Sequence, residues 1–249
     1  MSDVVILVPI YKAEPSALER FSLDYSLKAL TGRDIRFMGP ESLDRSFYDR
    51  HYPGLPFLLF QTSSFASIPG YNRLLLSEAF YERFASHEFM LVLQTDAIIL
   101  RDELDFWCRQ PFDYVGAPWP DGYELFVNAG LFEGDYGKRV KVEVGNGGLS
   151  LRRVRKCIAL LREYKVAVEV FDRTGSSEDL FFSVMGALSG DFLVPNEITA
   201  SRFSLELKPS YYFHVNGGHL PMGGHAWWKN EPEFWRARIC AAPPVQTEA

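Results

Sequence analysis

Two kinds of apolar pattern alternate over the first hundred residues. Val4 to Val8 is a β-branched run that stops at Pro9, which has no N–H to give to a ladder, so a strand is predicted there, with the first strand-to-helix loop at Pro9–Lys12. From Glu14 to Leu30 the apolar positions Leu18, Phe21, Tyr25 and Ala29 recur at helical spacing, and the pattern stops near Gly32. Arg36–Met38 reads as a short second strand and Phe57–Phe60 as another. Tyr71–Phe84, opened by Pro69-Gly70, carries Leu74, Leu75, Ala79 and Phe80 on one helical face. Phe89–Leu93 is unbroken apolar, the pattern of a strand buried on both faces of a parallel sheet. This alternation predicts an α/β fold with a parallel, doubly wound sheet.

The second half is less regular. Leu104–Cys108 reads as a short helix, Tyr114–Trp119 as a strand running into a turn, and Arg153–Tyr164 as a helix. Residues 120–144, rich in Gly, Asp and charge, predict a flexible loop over a site. Leu180–Leu188 is an apolar helix with Ser176 or Ser177 as its N-cap. Beyond Pro195 the pattern frays, and residues 242–249 read as a disordered tail. Without internal repeats or a clear linker, residues 1–241 are expected to form a single domain.

Composition narrows the classes. With 249 residues, 47% hydrophobic and 23% charged, the chain is an ordinary globular protein, large enough for one sizeable core. A net charge of −6 gives no reason to expect nucleic acid as a partner. Cys108, Cys157 and Cys240 are odd in number and lack a CxxC, which suits a reducing compartment better than a disulfide scaffold. The N-terminus does not read as a signal peptide, and no apolar stretch reaches the length of a membrane span. A soluble, cytoplasmic protein is expected. No glycine fingerprint follows the first strand and no GxxxxGK[ST] loop occurs, which argues against dinucleotide dehydrogenases and P-loop enzymes.

Polar residues at the ends of the predicted elements are the candidates for chemistry. Gln94, Thr95 and Asp96 interrupt an apolar stretch where a central strand should emerge. A carboxylate there needs a partner, either a cation or a ligand, and in open α/β sheets ligands bind at such strand ends. Gly145-Asn146-Gly147-Gly148 would allow positive φ and close backbone approach. Glu178-Asp179 opens a helix, where capping alone also explains an acid. Pro9 and Tyr11 end the first strand, with Tyr11 placed to stack on a base and Lys12 to meet phosphate; Asn72 and Arg73 at a helix start are further phosphate candidates. Arg152 to Lys156 forms a basic cluster, usually a solvated helix face, with peripheral contact to an anionic membrane as the alternative.

Taken together, QTDAIILRDELDFWC, DYVGAPW, GNGGLSLR and LPMGGHAW resemble a family of GT-A-like domains of unknown function, and more broadly the GT-A glycosyltransferases, over about Val4 to Trp228. The resemblance implies a Rossmann-like nucleotide-binding half, with a mixed central sheet flanked by helices, plus an acceptor-side half. It implies transfer of a sugar from a nucleoside diphosphate sugar to a hydroxyl of a glycan or lipid-linked glycan, as in surface-polysaccharide biosynthesis. Asp96 matches the last acid of the family's metal-binding motif and His225 its C-terminal metal ligand, so Mn2+ or Mg2+ is the implied cofactor. Gln94 stands where the first acid is usual and brings no charge, which leaves a metal-independent variant open. Asp179 matches the base of an inverting transferase, Glu178 a supporting acid, and Asn146, Gly147 and Gly148 a donor-contacting loop. The rival readings are a nucleotidyltransferase acting on sugar phosphates and a non-catalytic carbohydrate- or nucleotide-binding module.

Overall fold

The computed structural model describes residues 3–127 and 137–239, so Cys240, the predicted tail and part of the predicted 120–144 loop lie outside the described residues. The strands in chain order are β1 (Val4–Pro9), β2 (Asp34–Pro40), β3 (Phe57–Phe60), β4 (Phe89–Leu93), β5 (Ala97–Ile99) and β6 (Tyr114–Val115). They continue with β7 (Pro118–Val127), β8 (Lys138–Val144), β9 (Leu149–Arg153), β10 (Ser204–Leu205) and β11 (Gly223–His225). The main sheet runs β3-β2-β1-β4-β9-β6. Its first four strands are parallel, while β9 is antiparallel to both β4 and β6. The sheet is therefore mixed, the reversal coming at β9.

Alternation within the apolar runs explains how one sheet supports two cores. Val5 and Leu7 of β1 and Met90 and Val92 of β4 face one cluster, with Tyr81, Phe181 and Phe182. Val4, Ile6 and Val8, with Phe89, Leu91 and Leu93, face the opposite cluster, with Leu23, Phe37 and Trp107. Each such side chain contributes about 1.5–3 kcal/mol on burial, so these strands are fixed in register by both faces at once.

A second sheet, β10-β11-β5, positions the residues after β4. The helix Ala17–Ala29 clamps it from one side and opens with a capping box between Ser16 and Glu19. One helical turn apart, the hydroxyl of Ser26 accepts the Ile99 N–H at 2.9 Å and that of Ser22 accepts the Trp227 indole N–H at 2.8 Å.

Several expectations are corrected. The helix predicted over Tyr71–Phe84 is two helices, Ile68–Leu75 and Glu78–Glu82. Ser77 lies extended between them, with ψ 126°, and begins the second; serine is a better start than interior residue. In place of a flexible 120–144 loop, the described residues form the antiparallel β7–β8 hairpin, with Val140 and Val142 packed into the first core. The frayed region after Pro195 holds the helices Glu197–Phe203, Pro209–Val215 and Pro232–Arg236 around β10 and β11. Arg152–Lys156 is not a solvated cationic face. Arg152 is fully buried, Arg153 pairs with Glu88 and Asp113, and Lys156 pairs with Asp191.

Candidate active site

A cleft of about 540 Å3 opens at the carboxyl ends of β1 and β4, where open α/β sheets take their ligands. Gln94, Thr95 and Asp96 form the turn from β4 into β5, closed by the Ala97 N–H on the Gln94 carbonyl at 2.9 Å. Two more backbone bonds join this turn to the other motifs. The Gln94 N–H donates to the Gly148 carbonyl and the Ala226 N–H to the Asp96 carbonyl, both at 2.9 Å. β11 pairs antiparallel with β5 so that His225 lies beside Ala97. Segments some 50 to 130 residues apart thus meet through the main chain, and their side chains converge.

The convergence centres on His225. Its Nε2 lies 3.0 Å from Asp96 Oδ1 and 3.2 Å from Gln94 Oε1, and its Nδ1 lies 2.8 Å from Glu206 Oε2. The second oxygen of Asp96 accepts from Lys229 Nζ at 3.0 Å. Burial by itself lowers the imidazole pKa, but the hydrogen bonds to Asp96 and Glu206 outweigh it and lift the ring to about 10. For Asp96 burial works upward, and His225 and Lys229 overcome it and hold the carboxyl well below its ordinary value. Without a metal, the site is held by an imidazolium and an ammonium on one carboxylate.

The same donors fit a divalent cation. An octahedral shell with bonds of roughly 2.1 Å has neighbouring ligands about 3.0 Å apart, close to the separations of Nε2 from Oδ1 and from Oε1. Gln94, Asp96 and His225 would hold it, in exchange for the Nε2 proton. Among the described residues no group of three His, Cys, Asp or Glu side chains is arranged to hold a metal; the third donor here is an amide oxygen.

The opposite wall is built on a buried ion pair. Arg152, fully buried in β9, donates to Glu178 at 2.7 Å, to the Tyr81 hydroxyl at 2.9 Å and to Ser150 at 3.0 Å. Burial raises the Glu178 carboxyl above its ordinary value even with Arg152 attached. Next to it, Asp179 accepts the Gly147 N–H at 3.1 Å and the Leu180 N–H at 2.7 Å and faces the cleft. Ser177 is the N-cap of this helix, without a side-chain capping bond. Gly147 and Gly148 do not take positive φ. They serve close approach instead, since a Cβ on Gly147 would lie 2.6 Å from Glu178 Oε1.

Of the residues singled out from the sequence, Pro9, Tyr11, Asn72, Gln94 and Asn146 line this cleft, as do Gly147, Gly148, Glu178, Asp179 and His225. Asp96 is not among the lining residues and instead pairs with His225 and Lys229. Thr95 is buried and donates to Glu19. Lys12 ion-pairs with Glu19 at 2.9 Å, and Arg73 pairs with Asp172 at 2.6 Å and lines a separate surface cavity. The sequence reading missed Lys229, Glu206, Tyr71 and the burial of Arg152. Only Arg152 carried a signal, as a charge ending the apolar strand Leu149-Ser-Leu151 and therefore needing a partner.

Residues 54–225 match the family described as Protein of unknown function (DUF5672). The chain belongs to this family. Among curated protein sequences none matches it. Among solved structures, LgtC, a galactosyltransferase in complex with donor and acceptor sugar analogs, aligns over 96% of this chain and 91% of its own, with 17% identity and a TM-score of 0.54. An active-site mutant of LgtC aligns over 96% and 92%, with 16% identity and a TM-score of 0.55. Mouse xyloside xylosyltransferase 1, in its apo form, aligns over 98% and 100%, with 10% identity and a TM-score of 0.53. This DUF5672 chain has the GT-A fold. No helix among its described residues is long and apolar enough to cross a membrane.

Proposed function

We propose that this chain is a glycosyltransferase that moves a sugar from a nucleoside diphosphate sugar to an acceptor hydroxyl, with inversion. The observation that carries the reading is one cleft lined by Gln94 and His225, with Lys229 nearby on Asp96, and by the carboxylate of Asp179. The fold shared with sugar-transferring enzymes supports it.

In this mechanism Tyr11, half exposed at the mouth, stacks on the base. The diphosphate lies toward His225 and Lys229. A divalent cation bound by Gln94, Asp96 and His225 would neutralise charge growing on the leaving diphosphate. Asn146 and the main chain at Gly147-Gly148 contact the sugar. Asp179 takes the proton of the acceptor hydroxyl as its oxygen bonds to the anomeric carbon. The bond from that carbon to the diphosphate oxygen breaks, and its electron pair leaves with the nucleoside diphosphate. Glu178, tied to Arg152, fixes the start of the helix that carries the base.

A thermal-shift series with UDP, GDP, CDP and TDP, each with and without Mn2+, tests the binding half of this reading. A ligand that binds only the folded chain raises the melting temperature. A rise with at least one nucleotide is expected; none with any would contradict the reading.

A further inference from the structure

Glu206 does not line the cleft, yet it touches the site through one ring. β10 runs parallel to β11 with Leu205 beside Gly224, so the next residue along each strand sets Glu206 beside His225. The carboxylate is 2.8 Å from Nδ1 and its side chain is 15% exposed, well shielded from water. A carboxylate in that position accepts the Nδ1 proton and fixes the ring with Nε2 toward Asp96 and Gln94, so that Nε2, once it has given up its own proton, is a stronger electron-pair donor to a metal.

The charges give Glu206 a second role. Asp96 brings one negative charge, which Lys229 cancels at its other oxygen, and Gln94 brings none. With His225 neutral, as a metal ligand must be, the set without Glu206 has no net charge to attract a dication.

We infer that Glu206 is a positioning residue for His225 and supplies, from behind the ring, the negative charge that Gln94 does not bring to a divalent-cation site. This rests on the glycosyl-transfer reading above.

The test reads metal binding, not turnover. The full chain, stripped with chelator, is titrated with Mn2+ while the free ion is followed by electron paramagnetic resonance. Glu206→Gln is expected to weaken Mn2+ about 10- to 100-fold, and Gln94→Asp in that background to recover most of the loss. Wild-type affinity in Glu206→Gln, or no recovery in a folded double variant, would overturn the inference. If Glu206→Gln does not fold, Gln94→Asp alone carries the test: it should tighten Mn2+, and unchanged affinity would overturn the charge argument. Wild-type protein that binds a nucleoside diphosphate but not Mn2+ would remove this inference and leave glycosyl transfer standing. Protein that binds neither would remove both.

Discussion

Gly148 and His225 approach so closely that a Cβ on Gly148 would sit 2.1 Å from the imidazole Nε2. That nitrogen is the one facing Asp96 and Gln94, so the missing side chain is what lets the ring close on them. Gly148→Ala should expel His225 from this position and cost about 1–3 kcal/mol by overpacking. Chemical denaturation gives the stability, and Mn2+ titration should show binding at least as weak as in Glu206→Gln. Unimpaired Mn2+ binding in a folded Gly148→Ala protein would contradict the geometry.

Two tyrosines near the cleft should respond oppositely to loss of the hydroxyl. The Tyr81 hydroxyl accepts from buried Arg152 at 2.9 Å, so Tyr81→Phe strands a charged donor and should cost about 1–3 kcal/mol. The Tyr71 hydroxyl is buried and has no hydrogen-bond partner among the described residues. Burial, and then the Glu178 charge, hold that phenol above its ordinary range. Tyr71→Phe should therefore leave stability unchanged or raise it. Urea unfolding of the two variants side by side decides the matter.

Stability of the chelator-treated protein should depend on pH through the His225–Asp96 pair. The folded-state pKa of His225 is raised, so its contribution is complete below its ordinary 6.5 and disappears as pH rises toward about 10. Asp96 is shifted downward, so its contribution is complete above its ordinary 3.8 and is lost as pH falls. The difference in melting temperature between wild type and His225→Gln should accordingly be largest in mildly acidic solution and shrink at alkaline pH. A difference that grows above neutrality would contradict the pairing.

The pattern of residues revealed most of the parallel core and less of what surrounds it. β1 and β4 are readable because burial on both faces demands unbroken apolar runs. β10 and β11 are two and three residues long, too short to show a period, so neither strand left a trace in hydropathy. The β7–β8 hairpin did leave one, since Val140, Val142 and Val144 alternate with charged residues, but flanking Gly and Asp obscured it. At the site, residues adjacent to strand ends were legible because topology places ligands there. Side-chain direction was not: Lys12 turns to Glu19 and Arg73 to Asp172. Glu206 and Lys229 acquire their roles only when β11 brings His225 to Asp96.

The base assignment has its own signature. Asp179 is held by two backbone N–H groups, that of Leu180 on Oδ1 and that of Gly147 on Oδ2, and an asparagine can still accept one of them on its single amide oxygen. Asp179→Asn should keep the fold and nucleotide binding while turnover falls about 100- to 10,000-fold. Near-normal turnover in that variant would show that another group takes the proton.

The most direct test of glycosyl transfer is the identity of the released nucleotide. Purified protein with Mn2+ is incubated with a panel of nucleoside diphosphate sugars, with and without simple glycan acceptors, and in parallel with nucleoside triphosphates and sugar phosphates, and the products are separated chromatographically. Release of a nucleoside diphosphate from one donor class, strongly reduced in Asp179→Asn, is expected. Release of pyrophosphate from nucleoside triphosphate and sugar phosphate, with nucleoside diphosphate sugars left intact, would contradict glycosyl transfer.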